Sequence, residues 1–313
     1  MKVIYPESYD ETGVFSVQTI GFFDGVHAGH RYLIAQLREE AAKRGLNSMV
    51  VTFRQHPRKV LHPEIKMPLL TTLPERLQLL ENTGVDRVAL LDFTPQMAQM
   101  SAHEFMQSVL KEHLNGKALL IGYDHHFGHK SPDGFTEYCN YGAEMGVEVI
   151  EARELPSSVA DGHASSTVVR RALADGDIEL AHRLMGHAYT LGGIVTHGQE
   201  IGRSIGFPTA NIAVDCPDKI VPANGVYAVK AMVDGRTFGG MLYIGNRPTV
   251  EGIDEQRIEA NLFDFAGDIY GKELRVDFIG RIRGESRFES LDRLKAQLAE
   301  DKERAVDLLG SAI

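Results

Sequence analysis

The sequence predicts two domains of different class: a doubly wound α/β domain, then an antiparallel β-barrel closed by a C-terminal helix. Three observations carry this. A chain of 313 residues is about twice the size of a typical domain. Its first half alternates β-rich runs with stretches of helical periodicity, the rhythm of a parallel sheet. Beyond residue 190 the texture changes to Gly-punctuated strands that follow one another without helices, as a barrel requires.

In the first half, strands are expected over 14–20, 48–53, 87–93, 117–121 and 147–150. A helix follows His30, because Leu33, Ile34, Leu37 and Ala41 recur at helical spacing and Gly45 stands where a left-handed residue ends a helix. Thr72 with Glu75 and Ser101 with Glu104 have capping-box spacing and predict two further helix starts. From 165 to 186 two short helices, broken by Ala174-Asp175-Gly176-Asp177, read as a bridge. Barrel strands are expected over 193–196, 226–233, 237–244, 257–265 and 274–279. Asp234-Gly235 is a hairpin turn of type I′, in which both central residues need positive φ. Leu291, Leu294, Leu298, Ala305 and Leu308 form the apolar stripe of the closing helix. The domains are placed at 1–183 and 184–313.

Composition narrows the function. The chain is 43% apolar and 24% charged, and no apolar run approaches the ~18 residues of a membrane span. A net charge of −10 disfavours diffuse attraction to nucleic acid, so any anion site must be local. Cys139 and Cys216 are too few and too far apart for a disulfide framework or a sulfur-ligated zinc. Met1-Lys2 leads into mixed polar sequence with no leader pattern, so the cytoplasm is expected.

Gly21-Phe22-Phe23-Asp24-Gly25-Val26-His27-Ala28-Gly29-His30 joins the first strand to the first helix, where an α/β fold binds phosphate on backbone N–H groups. His27 and His30 are spaced to share a helix face and donate to one triphosphate. A metal-binding or merely capping pair is the bland alternative, although no third zinc ligand stands at suitable spacing. Ser165-Ser166-Thr167-Val168-Val169-Arg170 begins another helix with three hydroxyls and a cationic fork; capping alone would also explain it. In the barrel half, Gly198, Gly202 and Gly206 suggest a flap, with no Walker ending, before Pro208-Thr209-Ala210-Asn211. Thr209 and Asn211 face the same way on an extended chain and can converge on one ligand, against the alternative of a simple turn. Glu259, on a predicted strand, is either a solvated carboxylate or the group that accepts a proton from an alcohol.

Gly21 to His30, Gly122-Tyr123-Asp124-His125-His126-Phe127-Gly128 and Ser165 to Arg170 resemble the adenylyltransferase half of the bacterial bifunctional riboflavin kinase/FAD synthetase family. Gly202 to Ile212, Asn224-Gly225-Val226-Tyr227, Ile244-Gly245-Asn246-Arg247-Pro248-Thr249 and Ile258 to Gly271 resemble its riboflavin kinase module in order and spacing. The resemblance spans nearly the whole chain. It implies a Rossmann-like nucleotidylyltransferase domain followed by a β-barrel kinase domain. Riboflavin and ATP would give FMN in the barrel, and FMN and ATP would give FAD and pyrophosphate in the first domain, both with Mg²⁺.

For adenylyl transfer the resemblance implies that Gly21, Phe22, Asp24, Gly25, His27, His30, Ser165, Ser166, Thr167 and Arg170 hold ATP. Phe53, His56, Pro57, Asp124 and Phe127 would border the flavin. For the kinase it implies that Gly202, Arg203, Pro208, Thr209 and Asn211 hold ATP, with Thr209 and Asn211 on the metal. Glu259 would activate the ribityl hydroxyl, and Arg283 would border the flavin. His126 stands where the family pattern has Arg, Asn246 where Thr is usual, and Asn261 where a larger or aromatic residue is expected. Two other readings compete: a nucleotidylyltransferase for another phosphorylated small molecule, and a flavin-binding storage or regulatory protein. The kinase signature argues against the first, and the full set of chemical residues against the second.

Overall fold

The computed structural model describes residues 1–5, 13–122, 127–129, 133–156, 164–197, 206–248 and 254–310. They form two compact units, Met1–Ala164 and Ser165–Ile313.

The first unit is built on six strands: β1 (Lys2–Ile4), β2 (Ser16–Ile20), β3 (Asn47–Phe53), β4 (Arg87–Leu91), β5 (Gly116–Ile121) and β6 (Glu148–Glu151). Their order is β1-β4-β3-β2-β5-β6, and every pairing is parallel. The helices are α1 (Ala28–Arg44), α2 (Pro57–Leu61), α3 (Leu73–Asn82), α4 (Ala102–Glu104), which continues as π-helical turns over Phe105–His113, and α5 (Phe135–Met145). Alternate residues feed two cores. Met49, Val51 and Phe53 pack with Phe105 and Leu110, while Val50 and Val88 pack with Ile34 and Leu37. The doubly wound expectation therefore holds, and the sheet order reverses between β2 and β5, where such folds bind ligands.

Local chemistry fixes the ends of these elements. Both expected capping boxes are present, Thr72 with Glu75 and Ser101 with Glu104, and Gly45 ends α1 at φ 64°. The buried Gln18 of β2 donates through Nε2 to the carbonyls of Leu110 (3.2 Å) and Leu114 (3.0 Å), closing the end of the α4 segment. Strand β1 has only three residues, too few to show a periodicity, and the sequence reading missed it.

The second unit comprises α6 (Ser166–Asp175), α7 (Ile178–Met185), β7 (Thr190–Thr196), β8 (Ala210–Val214), β9 (Gly225–Val233), β10 (Arg236–Pro248), β11 (Asp254–Leu262), β12 (Glu273–Arg283) and α8 (Leu291–Gly310). The strands close a barrel in the order β10-β11-β8-β7-β12-β9, antiparallel throughout. The hairpin turn has φ 50° at Asp234 and 72° at Gly235, as the type I′ reading requires. Strand β8 was not anticipated, since Pro208 and the glycines before it read as turn rather than sheet.

The two helices expected as a bridge belong to this second unit. Ile178, Ala181, Leu184 and Met185 are buried, the Leu173 carbonyl accepts from Ala223 N at 3.0 Å, and Arg281 donates to the Asp175 carbonyl at 3.1 Å. Helix α8 lies on the outside of the barrel, where Ala305 and Leu308 pack against Val226, Ala228 and Met241. Leu291, at the head of the expected stripe, is exposed, because the packing begins further along the helix.

Candidate active sites

The turn after β2 is shaped by backbone conformations that few residues adopt: φ is 58° at Phe23, 78° at Gly25 and 38° at Val26. Such a turn persists only if its surroundings over-determine it. Asp24, 3% exposed, does this. Its carboxylate accepts from Leu70 N (3.0 Å), Thr71 N (2.9 Å) and Thr71 Oγ1 (3.0 Å), while Thr71 Oγ1 accepts from Gly25 N at 3.0 Å. Asp24, expected among the ATP contacts, is thus engaged in holding the turn itself. Gly21 N donates to the Val51 carbonyl at 3.1 Å.

His27 caps α1, its Nδ1 accepting from His30 N at 3.4 Å. In the neutral ring this places the proton on Nε2. The His27 and His30 rings stack with centroids 3.6 Å apart and planes at 21°, and Phe23 meets His30 edge-on at 5.0 Å. A Cβ on Gly29 would stand 3.2 Å from the His27 ring, so this glycine lets the imidazole lie over the helix start. The pair inferred from a three-residue spacing is therefore one donor cluster at a helix N-terminus.

Phe53 and Phe127, two of the expected flavin residues, line one apolar cavity of about 250 Å³ with Ile20, Phe93, Met97 and Phe105. Phe127 stacks on Tyr138 at 4.6 Å and 9°, and Tyr138 Oη donates to the Phe127 carbonyl at 3.2 Å. Burial raises the Tyr138 pKa, keeping its phenol protonated. Tyr138 was missed, because an aromatic on an amphipathic helix reads simply as core. His56 caps α2 through Nδ1, 3.1 Å from Arg58 N, with Pro57 as the first helical residue. Its ring lies 4.5 Å from that of Phe22. Asp124 lies outside the described residues. Ser165 caps α6, Oγ accepting from Val168 N at 3.4 Å, and Ser166, Thr167 and Arg170 follow on that helix, in the second unit.

In the barrel, Glu259 on β11 pairs directly with Asn211 on β8 and with Tyr243 on β10. Thr209 Oγ1 donates to Glu259 Oε2 at 3.2 Å, and Arg257 Nη1 stands 3.6 Å from Glu259 Oε1. Pro208 is held by Asn261, whose Nδ2 donates to its carbonyl at 2.7 Å. Thr209, Asn211 and Glu259 are thus brought together by strand register. Gly202 and Arg203 lie outside the described residues. Asn261, on the face of β11 that carries Glu259, and Phe263, just past the end of that strand, line a groove of about 740 Å³ with Phe207, Pro208, Lys302 and Val306. A second hollow of about 580 Å³ includes Thr209, Phe265, Asp268 and Tyr270.

Tyr243 was also missed. It lies across Gly245, where a Cβ would come within 2.0 Å of its hydroxyl, and donates to Glu285 Oε1 at 2.7 Å. Asn224 Nδ2 donates to the other oxygen of Glu285 at 3.3 Å. Burial, then the carboxylates of Glu285 and Glu259, pushes the Tyr243 phenol up to about 12. Arg283, expected at the flavin, makes a bidentate pair with the fully buried Asp301 of α8 (3.0 and 2.8 Å). Its guanidinium lies 5.5 Å from the Phe288 ring centroid, so the residue ties the segment after β12 to the helix.

Comparison with known proteins agrees with both halves. A family profile described as FAD synthetase matches residues 11–168, and one described as riboflavin kinase matches residues 185–309. The bifunctional riboflavin kinase/FMN adenylyltransferase of Escherichia coli strain K12 is 40% identical over 94% of this chain and 93% of its own. That of Listeria monocytogenes is 36% identical over 97% and 96%. A crystal structure of a Streptococcus pneumoniae chain, described as a macrolide-efflux protein, superposes with a TM-score of 0.85 at 33% identity, covering 97% of this chain and 98% of that one. Among the described residues of the present chain, no helix is long and apolar enough to cross a membrane. The paired modules and these relatives show that the chain belongs to the bifunctional riboflavin kinase/FMN adenylyltransferase family.

Proposed function

We propose that Glu259 is the general base of riboflavin phosphorylation and that the His27–His30 pair holds the ATP tail for adenylyl transfer. The family gives the reactions: riboflavin and ATP yield FMN and ADP, then FMN and a second ATP yield FAD and pyrophosphate. The observation that carries the kinase assignment is the 3.2 Å contact of Thr209 Oγ1 with Glu259, with Asn211 directly opposite.

In the kinase reaction Glu259 accepts the proton of the ribityl 5′-hydroxyl as that oxygen attacks the γ-phosphorus of ATP and ADP leaves. Pro208 sets the backbone of the Thr209–Asn211 segment against the phosphates, and Gly202 and Arg203 are assigned to ATP on the resemblance. A threonine hydroxyl, an asparagine amide and a carboxylate form a set of hard oxygen donors, which fits Mg²⁺ at Thr209 and Asn211. When bound, the ion neutralises phosphate charge. Asn261 and Phe263 support the adjoining groove as the riboflavin side, bordered by the segment that Arg283 holds.

In adenylyl transfer the FMN phosphate is already an anion and attacks the α-phosphorus without a general base, so this chain must supply alignment and charge stabilisation. Gly21 to Gly25 present the turn, and the histidine N–H groups stabilise the transferring group. Phe53, Phe127, His56 and Pro57 border the flavin, with Asp124 assigned on the resemblance. Ser165, Ser166, Thr167 and Arg170 are assigned to ATP on the same ground, which makes 1–183 and 184–313 the functional domains. We place the enzyme in the cytoplasm. Chromatography of the flavins after incubation with riboflavin, ATP and Mg²⁺ tests the reading: FMN and then FAD are expected, and the absence of both would refute it.

A further inference from the structure

Arg76 lies on α3, directly after the capping-box Glu75, a position at which a helix ordinarily shows a solvated charge. Here it is 1% exposed. Its guanidinium carbon lies 4.0 Å from the centroid of the Phe22 ring. Nη1 donates to the Phe22 carbonyl at 3.1 Å, and Nη2 donates to the Phe53 carbonyl and, at 3.5 Å, to that of Arg54. These acceptors belong to two turns. Phe22 is in the turn after β2 that leads to His27 and His30, and Phe53, the last residue of β3, and Arg54 open the turn that leads to His56 and Pro57. The Phe22 ring also meets the His56 imidazole at 4.5 Å, so one aromatic ring links both turns to the arginine.

A cation in this place is a poor device for stability alone. Burying a guanidinium costs free energy that carbonyl acceptors offset only in part, and an apolar side chain would fill the space without that cost. Arg76 Nε has no hydrogen-bond partner among the described residues. Burial pulls the guanidinium pKa down to about 10, opposed by the charge of Asp24, so it stays a cation at neutral pH. What the planar fork does supply is geometry, because one rigid group reaches the carbonyls of two turns and stacks on a ring, which an ammonium cannot reproduce.

We propose that Arg76 is a positioning residue for adenylyl transfer: its fork holds the nucleotide turn and the flavin turn at one separation, so that the FMN phosphate meets the α-phosphorus of ATP in line. The inference rests on the adenylyl-transfer reading given above. A reaction that uses neither a covalent intermediate nor a general base depends on alignment, and a displacement of ~1 Å can cost ~10²-fold in rate.

The test compares the full-length chain with R76K and R76M, following FAD and pyrophosphate formation from FMN and ATP, the KM of each substrate, and near-ultraviolet circular dichroism. For R76K the expected result is a fall of about 10²-fold in kcat, with both KM values within about threefold of the parent and an unchanged spectrum. R76M is expected to fall further, and riboflavin phosphorylation in both variants to stay at the parental rate. An unchanged kcat in R76K, a loss confined to KM, or loss of the native spectrum in both variants would overturn the proposal. A parent chain that makes no FAD would instead overturn the underlying reading.

Discussion

The two sites proposed for this chain would meet the same demand, gripping an ATP tail, with different parts of the polypeptide. The proposed adenylyl-transfer site is drawn by the main chain. Positive φ at Phe23, Gly25 and Val26 turns the backbone, the buried Asp24 fixes it, and the histidines enter at a helix start. The proposed kinase site is drawn by side chains that the barrel register sets beside one another, Asn211 and Tyr243 on either side of Glu259. A parallel sheet gathers its strand ends at one edge and leaves loops there to hold a ligand. An antiparallel barrel instead offers rows of outward side chains across paired strands. The first site should therefore be sensitive to backbone changes, and the second to single functional groups.

The largest expected effect is at the side-chain site. Glu259→Ala should lower FMN formation by about 10³-fold through loss of the base, while FAD formation from supplied FMN continues. Loss of both activities would break the division into two sites. At the backbone site, Gly25→Ala places a Cβ 2.8 Å from Leu70 Cδ1 at a φ of 78°, which should destabilise the first unit by about 1–3 kcal/mol and lower FAD formation. An unchanged melting temperature and rate would show that the turn is not held as described. His30→Ala should slow FAD formation about tenfold, the equivalent of ~1.4 kcal/mol in the transition state. Steady-state kinetics with FMN as substrate reads this directly, and wild-type values would remove His30 from the site.

The smallest effect sharpens the comparison from the barrel side. His182 of α7 is half-buried, and desolvation holds its pKa below the ordinary 6.5. The folded state therefore binds this proton less readily than the unfolded chain. Stability from the neutral ring is present above about pH 6.5 and is lost as pH falls through the folded value. The second unit should melt at progressively lower temperature below that pH, and His182→Gln should flatten the slope. An identical acid slope in the variant would assign the effect to other groups.

Much of this was legible because the signals are local. Thr72 with Glu75, Ser101 with Glu104, Gly45 and Asp234-Gly235 each specify a conformation within a few residues, and all four appear as expected. The histidine spacing and Thr209, Asn211 and Glu259 were legible through motif. Arg76, Tyr138 and Tyr243 were not, since a charge or an aromatic on an amphipathic element carries no sign of which distant carbonyl or carboxylate it will meet. Strand β8 was hidden because Pro208 and the glycines before it read as turn, and because its pairing with β11 depends on a strand well removed in sequence.

By itself the sequence determined the class of each half, the helix ends and the hairpin turn, all of them consequences of φ preferences and periodicity over short spans, and it marked the residues proposed to carry chemistry. Only the tertiary structure decided that α6 and α7 pack with the barrel, that Asp24 is spent on its own turn and Arg283 on Asp301, and that Arg76 bridges two turns. Each of these is a choice among partners far apart along the chain. It is settled by which groups remain to satisfy a buried charge or carbonyl once the core has closed.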